Sequence, residues 1–167
     1  MAKTYLVVDV GGTKILAAAL SENGDILARH KLKTNRGDRD ALLGQLDDAL
    51  VAVLSDAKIA KTEVAGIALG VPGVVDAQSG HVIFTPNAPL SDTPLGALLS
   101  KKWGCPTVVG NDVNVGLAGE VWRGAAQGAS SAFGIFVGTG VGGALFLNGQ
   151  IVNGARGLGG EIGHVLF

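Results

Sequence analysis

Two glycine-rich stretches, each following an apolar run, are the parts of this sequence best suited to chemistry. They are Asp9-Val-Gly-Gly-Thr-Lys14 and Gly138-Thr-Gly-Val-Gly-Gly143. Glycine-rich turns at strand ends bring backbone N–H groups close to a ligand, which is a common way to hold phosphate or hydroxyl oxygens. The chain has 27 glycines among 167 residues, concentrated in such places. We therefore expect the two stretches to bind a ligand, with these candidate residues: Gly11, Gly12, Thr13, Lys14, Gly138, Thr139 and Gly140.

Two carboxylates stand where the chain is expected to leave a strand. Asp9 ends an apolar run, where an unpaired carboxylate is costly unless it meets a cation or hydrogen-bond donors, so a metal-facing role is expected. A turn that needs Asp and Gly for its geometry is a compatible interpretation. Asp112 begins a helix after a strand and is the candidate general base, while the local pattern alone favours a helix N-cap. Lys14 fits a phosphate contact and a solvent-facing edge-strand position equally well.

Amide, carboxylate and imidazole side chains form a third candidate set. Such groups suit a ring of hydroxyls, each of which donates and accepts hydrogen bonds. Glu161 and His164 are three residues apart and would share a face on a helical turn. A structural role is the alternative for a lone histidine, and Glu120 fits either a supporting or a solvated position. The candidate hydroxyl-binding residues are Asn87, Asn111, Asp112, Glu161 and His164.

The elements that must position these residues begin with a β-meander. Its hairpin turn is expected at Asn23-Gly24, a pair favoured in tight turns. Periodicity and breaker residues then predict helices alternating with strands, the first helix carrying apolar residues at helical spacing and another opened by Thr93 as a cap. This order is typical of a ribonuclease-H-like α/β domain. The predicted strands are 5–10, 14–20, 26–32, 64–71 and 107–109, and the predicted helices are 38–57, 94–103 and 111–123.

The end of the chain repeats the opening pattern of strand, Gly/Thr turn, strand, Asn-Gly turn and strand. These strands are predicted at 133–137, 144–147 and 150–152, with a hairpin about two residues shorter. We expect two domains of duplicated topology, 1–115 and the start of a second at 116–167. The second stretch also matches the dinucleotide motif G-x-G-x-x-G, but that motif should open a helix and a hairpin is expected here. No P-loop string is present.

Composition limits the function classes. The chain has 13 Lys+Arg against 14 Asp+Glu and a net charge of -1, so neither a nucleic acid nor a membrane surface is favoured as a partner. The sequence shows neither a signal peptide nor a membrane-spanning run, and its single cysteine cannot form an internal disulfide. We expect a globular protein of the reducing cytoplasm.

Seven motifs in order give the sequence a family resemblance that covers the whole chain. The motifs are Asp9-Val-Gly-Gly-Thr-Lys14, Gly70-Val-Pro-Gly73 with Asp76, Pro86-Asn87, Asn111-Asp112-Val-Asn114, Gly119-Glu120, Gly138-Thr-Gly-Val-Gly-Gly143 and Gly160-Glu161-Ile-Gly-His164. With these motifs in this order, the sequence resembles the ROK family of sugar kinases and sugar-responsive repressors, its bacterial glucokinases above all. The resemblance implies the actin-like, hexokinase-like ATPase fold, with sugar and ATP in a cleft between two domains.

The resemblance also implies roles. Asp112 would be the base for the sugar 6-hydroxyl in ATP-dependent phosphorylation of a hexose, with glucose the expected substrate. Asp9 would orient Mg²⁺ through its waters, while Gly11, Gly12 and Thr13 would donate to the phosphates. The second glycine stretch would approach the ATP phosphates from the other domain. Gly70-Val-Pro-Gly73 would shape a loop that contacts the sugar. Many family members are homodimers, so a homodimer is also implied.

The sequence departs from the family pattern at its end. In the family, Glu-Ile-Gly-His is followed by a cysteine-rich motif that binds Zn²⁺ with the histidine, and no cysteine follows His164 here. A zinc site is therefore expected only if those cysteines are supplied, because structural zinc usually takes four protein ligands. We expect the chain to be an N-terminal part of a kinase. The alternatives are a non-catalytic sugar-binding fragment and a family regulator without its helix-turn-helix domain, for which a first strand at Tyr5 leaves no room.

Overall fold

A computed structural model describes residues 3–138 and 140–164. The first eight elements are β1 (Thr4–Val10), β2 (Lys14–Ser21), β3 (Ile26–Lys33), α1 (Arg39–Ala57), β4 (Val64–Val71), β5 (Val74–Asp76), β6 (His81–Phe84) and α2 (Leu95–Trp103). The chain continues through β7 (Thr107–Asn111), α3 (Asp112–Arg123), β8 (Ser131–Val137), β9 (Val141–Leu147) and β10 (Gln150–Ile151). Short 3₁₀ helices lie at Lys61–Glu63 and Ile162–His164. Two compact units result, Met1–Gly110 and Asn111–Phe167.

The first unit is built on a five-stranded sheet of order β3-β2-β1-β4-β7. The pairs β1–β2 and β2–β3 are antiparallel and β1–β4 is parallel, which is the mixed arrangement predicted from the meander. Alternate residues of β1 are buried, so Leu6, Val8 and Val10 enter the core while Asp9 is exposed. This alternation follows from the two-residue side-chain period of a strand.

Helix α1 covers the sheet from the side of β2 and β3. Its apolar residues recur at helical spacing, so they form one buried stripe: Leu42, Leu46, Ala49, Leu50, Val53 and Leu54. The carboxylate of Asp38 caps the helix by accepting from the N–H of Ala41 at 2.7 Å. Lys58, the C-cap residue that follows the helix, has the left-handed conformation with φ 57°. The predicted helix 38–57 is confirmed.

The loop after β4 is fixed by a close backbone approach. Gly73 has φ +100°, and a Cβ atom there would lie 2.1 Å from the carbonyl oxygen of Phe84. Only glycine therefore fits between β4 and the β5–β6 hairpin at this point. The constraint places the predicted sugar loop against the strand that leads towards Asn87.

Near the end of α2 lies the single cysteine, Cys105, which is buried in the core of the first unit. Burial raises the pKa of its thiol, an effect that the nearby Lys61 ammonium partly opposes. The hydroxyl of Ser100 donates to the backbone carbonyl of Cys105 at 2.8 Å, which fastens the chain as it enters β7.

The second unit contains a separate antiparallel sheet, β10-β9-β8, on which α3 packs. Its small core consists of Leu117, Ala144 and Phe146. The β9–β10 connection is the two-residue turn Asn148-Gly149, with φ 50° and 82°. Both residues need positive φ, which is why Asn-Gly is favoured in this turn. The repeat of the opening β-meander predicted at 133–152 is confirmed.

Four local predictions are corrected. The Asn23-Gly24 connection is a four-residue loop, closed by hydrogen bonds between Ser21 and Asp25. Thr93 does not cap α2, because Pro94 is the residue before the helix and makes no side-chain cap. Strand β9 begins at Val141 rather than at 144, and since a strand follows the glycines, the dinucleotide alternative is wrong. Lys14 lies on β2, which has neighbours on both sides, so it is not on an edge strand.

No helix within residues 3–138 and 140–164 has the length and apolar character needed to cross a membrane.

Candidate functional site

The first glycine turn, residues 11–14, joins β1 to β2. The N–H of Gly11 donates to the carbonyl of Lys14 at 2.9 Å and closes the turn. The segment after β3, residues 34–36, donates hydrogen bonds to the carbonyls of this turn. Thr34 donates from Oγ1 to Gly11 at 2.6 Å and from its N–H to Thr13 at 3.0 Å, and Arg36 donates from Nε to Gly12 at 2.7 Å. Three successive carbonyls of the turn are thus fixed from one short segment.

The glycines of this turn are required by space. A Cβ atom on Gly11 would lie 2.8 Å from the Lys14 carbonyl oxygen, and one on Gly12 would lie 2.9 Å from the Cβ of Asn87. Real Cβ atoms do not tolerate such distances without movement of the neighbour. The structure therefore brings Asn87, predicted to bind sugar, directly against a residue predicted to bind phosphate.

Beside this contact lies a pocket of about 330 Å³. It is lined by Arg36, Pro86, Asn87, Ala88 and Pro89. Hydrogen bonds from Thr85 brace the loop that carries Asn87, one from its hydroxyl to the Ala88 carbonyl and one from its N–H to the Ser91 hydroxyl. Sequence reasoning missed Thr34 and Arg36, because their contacts join positions more than twenty residues apart that no local pattern connects.

Asp9 is exposed near the end of β1, three residues before Gly12. Its exposure corrects the argument that burial alone makes a cation necessary there. Across the described ranges, no group of three or more His, Cys, Asp or Glu side chains is arranged to hold a metal ion. Mg²⁺ needs no such cage, since it is commonly bound by one or two carboxylates together with substrate phosphates. Asp9 beside the glycine turn fits that donor set.

Zinc does not fit the part of the chain that the structure describes. Cys105 is buried in the first unit, and no suitable group of ligands accompanies it there. The backbone of His164 closes the 3₁₀ helix Ile162–His164, and its side chain lies outside what the structure describes.

Asp112 is the first residue of α3, and the cap of this helix is its neighbour. The side-chain oxygen of Asn111 accepts from the N–H groups of Val113 and Asn114, each at 3.0 Å. The cap interpretation of Asp112 is therefore wrong. Asp112 is half-buried, and desolvation raises the pKa of its carboxyl despite backbone hydrogen bonds that act in the opposite direction. The Asp112 carboxylate shares the N–H of Val113 with Asn111, at 3.0 Å, but is not the N-cap of the helix. A half-buried carboxyl with a raised pKa is a candidate for chemistry.

A residue that the sequence reasoning did not assign lies two positions further along the helix. Asn114 is only 7% exposed, and its Nδ2 donates to the side-chain oxygen of Asn153 at 3.1 Å. Its own side-chain oxygen is buried and, among the described residues, has no hydrogen-bond partner. The available signal was a polar residue three positions before buried Leu117, on the apolar face of the helix.

The second glycine turn, residues 138–140, joins β8 to β9. Gly138 donates from its N–H to the carbonyl of Gly140 at 2.9 Å, both residues are exposed, and added Cβ atoms would meet nothing within 4 Å. Glycine is therefore not demanded by space at these two positions, unlike in the first turn. Thr139, predicted with them, lies outside the described residues.

Glu161 lies close to the start of β9 for a steric reason. A Cβ atom on Gly163 would lie 2.0 Å from the carbonyl oxygen of Val141, and one on Gly160 would lie 2.8 Å from that of Gly143. The glycines on both sides of Glu161 thus permit its segment to pack on the strand that follows the second glycine turn. Glu161 is half-buried and directly precedes the 3₁₀ helix Ile162–His164.

Glu120 has a structural position. Its side-chain oxygen accepts from the N–H of Ala125 at 2.8 Å and so fastens the end of α3.

Within each unit, the candidate residues lie near one another. In the first unit, Asp9 precedes the first glycine turn, and Gly12 of that turn packs against Asn87. In the second unit, Asp112 follows the N-cap residue Asn111, and the glycines beside Glu161 pack on β9.

Comparison with known proteins gives a consistent picture. The ROK family model matches residues 5–167. The glucokinase of Halalkalibacterium halodurans is 40% identical over 162 residues, which cover 96% of this chain and 49% of that protein. The crystal structure of a ROK family glucokinase from Streptomyces griseus in complex with glucose and AMPPNP has a TM-score of 0.86 at 30% identity, covering 99% of this chain and 50% of that one.

A regulator is also similar. The crystal structure of a ROK family transcriptional regulator, a homologue of the E. coli MLC protein, has a TM-score of 0.87 at 26% identity, covering 97% of this chain and 41% of that one. The chain spans about half the length of the curated relatives it matches. The predicted fold class is confirmed, because the similar structures include ROK sugar kinases with the actin-like ATPase fold. From its sequence, its strand order and these similarities, the chain belongs to the ROK family.

Proposed function

We propose that this chain carries the catalytic base and the phosphate-binding turns of an ATP-dependent hexose kinase that phosphorylates the sugar 6-hydroxyl, with glucose as its substrate. The observation that carries the proposal is the state of Asp112. Its neighbour Asn111 takes the capping duty, and desolvation raises the pKa of the Asp112 carboxyl. Such a group is suited to accept a proton from an alcohol as the alcohol attacks a phosphoryl group.

The first glycine turn supports the phosphate half of the proposal. Its carbonyls are occupied by Thr34 and Arg36 on the outside of the turn. Its glycines permit a close backbone approach, so Gly11, Gly12 and the Thr13 hydroxyl are proposed as donors to phosphate oxygens. We propose Lys14 and the second glycine turn, Gly138 to Gly140, as further phosphate contacts. Thr139 lies outside the described residues and is included because of its place in the sequence motif.

Mg²⁺ would be held by Asp9 through water. When bound, the ion supplies neutralisation of the charge on the phosphates. Asn87, Asn111, Glu161 and His164 are proposed to bind the sugar hydroxyls and so to fix the 6-hydroxyl for Asp112. The H. halodurans and S. griseus relatives, both named glucokinases, support glucose as the first substrate to test. A homodimer in the cytoplasm is proposed as the state in which the whole protein works.

A non-catalytic sugar sensor is the second candidate. It is favoured by the similarity to a ROK family transcriptional regulator, at a TM-score of 0.87. A sensor and a kinase would both bind a hexose, so binding alone does not separate them. Phosphoryl transfer that depends on Asp112 does.

The test is a coupled assay of hexose 6-phosphate formation with glucose, Mg²⁺ and ATP. It is run on the 167-residue chain and on the same chain extended by the C-terminal half of the H. halodurans glucokinase. Each is compared with its Asp112→Asn variant, which keeps size and hydrogen bonding but removes the base. Loss of a positioned base is expected to lower kcat by about 100-fold to 10,000-fold. Glucose binding without turnover in the extended chain would reject the kinase and favour the sensor.

A further inference from the structure

Arg36 places a guanidinium beside the first glycine turn. Its Nε uses one of five N–H donors, in the 2.7 Å hydrogen bond to the Gly12 carbonyl. Among residues 3–138 and 140–164, no carboxylate forms an ion pair with it. The next arginine, Arg39, instead lies 3.5 Å from a carboxylate oxygen of Asp40. Arg36 is thus a cation bound to a backbone carbonyl.

Arg36 also lines the pocket of about 330 Å³ that contains Asn87. The other lining residues, Pro86, Ala88 and Pro89, are apolar or present only backbone polar groups. The pocket therefore offers one cation and one amide side chain to a ligand. A guanidinium pairs best with phosphate or carboxylate, which its fork of donors can bind in a bidentate manner.

The position of Arg36 is imposed rather than accidental. The side chain of Gln45 on α1 donates to the Lys33 carbonyl and accepts from the N–H of Asn35, both at 2.8 Å. Thr34, only 5% exposed, is fixed to the first glycine turn on one side of Arg36. On the other side, the N–H of Gly37 donates to the Asn35 side chain at 2.9 Å. The backbone on both sides of Arg36 is therefore held before any ligand arrives.

We propose that Arg36 and Asn87 form a subsite for a phosphomonoester group attached to a hexose. This inference rests on the proposed function and deepens it. Nε of Arg36 keeps the Gly12 carbonyl turned away from the ligand, while the terminal guanidinium N–H groups bind the phosphoryl oxygens. Asn87 binds a sugar hydroxyl in the same pocket. The subsite therefore distinguishes a phosphorylated hexose from the unphosphorylated sugar, and product retention follows from it.

The test measures binding rather than turnover. Calorimetric titrations with glucose, glucose 6-phosphate, inorganic phosphate and Mg²⁺-AMPPNP compare the chain with Arg36→Gln and Arg36→Lys. The matched control is Arg39→Gln, which removes the same charge three residues away. Because loss of a charge-assisted hydrogen bond weakens binding by about tenfold or more, Arg36→Gln is expected to weaken glucose 6-phosphate by at least that factor. Glucose affinity should stay within about twofold. Arg36→Lys should recover only part of the loss, since it keeps the charge but not the fork.

The titrations with glucose 6-phosphate and with Mg²⁺-AMPPNP distinguish a sugar phosphate from a nucleotide phosphate as the ligand of Arg36. A loss for glucose 6-phosphate with little change for Mg²⁺-AMPPNP supports the proposal, while a loss confined to the nucleotide overturns it in favour of a contact to ATP. An equal loss for glucose and its phosphate also overturns it, because Arg36 would then act only through the shape of the turn. Binding of glucose 6-phosphate that is insensitive to Arg36, while glucose and nucleotide still bind, rejects the subsite and leaves the proposed function standing. Absence of all binding, by the 167-residue chain and by the extended chain of the kinase assay alike, rejects both.

An NMR measurement on the unmodified chain tests the subsite without relying on variants that could misfold. The Nε–H resonance of Arg36 in the unmodified chain should be protected by its bond to Gly12, and glucose 6-phosphate should shift it more than glucose does. The circular dichroism spectrum and unfolding midpoint of each variant are recorded alongside. If the resonance does not respond to glucose 6-phosphate at saturation, the subsite is rejected without reference to any variant.

Discussion

Asn114 of α3 donates a hydrogen bond from Nδ2 to the side-chain oxygen of Asn153, 39 residues later, at 3.1 Å. The bond ties the helix that begins with Asp112 to the chain just beyond β10. Because the side-chain oxygen of Asn114 is buried without a partner among the described residues, this tie carries an electrostatic cost.

The coupling between these asparagines is the first prediction. Asn114→Ala and Asn153→Ala should each lose the same bond, so the double variant should be less destabilised than the sum of the two, by about 1 kcal/mol. Chemical denaturation of the four proteins measures this. Strictly additive effects would mean that the bond does not form in solution. Asn114→Asp should be more harmful than Asn114→Ala at neutral pH, since it buries a charge, and should recover as the pH falls and the carboxyl is protonated.

The second prediction concerns the stability cost of Asp112. Its folded-state pKa is raised, so between the unfolded and folded pKa values the folded chain holds a proton that the unfolded chain has lost. Stability from this group is therefore present at acid pH and falls as the pH rises through that window. Asp112→Asn should remove this component, making the protein at least as stable as the parent at pH 7. Denaturation curves at several pH values test this. A variant clearly less stable than its parent at pH 7 would contradict it.

The third prediction concerns the first glycine turn. Gly12→Ala would place a Cβ atom 2.9 Å from that of Asn87, so the turn or the Asn87 loop must move. A cost of about 1–3 kcal/mol is expected, as for other overpacked sites, together with weaker nucleotide binding. Thermal unfolding and titration with Mg²⁺-AMPPNP measure the two effects. Unchanged nucleotide affinity in a folded Gly12→Ala protein would remove the first glycine turn from the site.

A glycine elsewhere in the first unit provides the fourth prediction and a control for the third. Gly44 is exposed within α1, and an added Cβ atom would meet nothing within 4 Å. Gly44→Ala should therefore stabilise the protein by about 0.5–1 kcal/mol through the lower conformational entropy of the unfolded chain. It should leave every ligand affinity unchanged. A lower free energy of unfolding for Gly44→Ala would contradict this prediction and would mean that the added methyl group meets a neighbour in solution.

The elements were largely predictable because their apolar periods are strong. The strand at 64–71 follows from a continuous apolar run, and the helix ending at Ala57 follows from helical spacing. The exchange of roles between Asn111 and Asp112 was not predictable, since both residue types cap helices and they are adjacent. Geometry had to decide that Asn111 accepts from both N–H groups.

The supports of the site were less predictable than its motifs. Arg36 reaches Gly12 across 24 positions, and Thr34 reaches Gly11 across 23. Nothing local distinguishes either from an ordinary loop residue, because their roles arise only when β2 and β3 pair. Space at glycine is likewise a tertiary property. Gly12 is crowded by Asn87, whereas Gly138 meets nothing.

The buried position of Cys105 has a practical consequence. With its thiol enclosed and its pKa raised, the native cysteine should react slowly with maleimides, since the thiolate is the nucleophile. The chain therefore behaves as if it were cysteine-free towards labelling reagents. A second cysteine placed on an exposed residue, such as Asp40 at the start of α1, can carry a fluorophore selectively without removal of Cys105. The protein is thus ready for distance measurements by fluorescence.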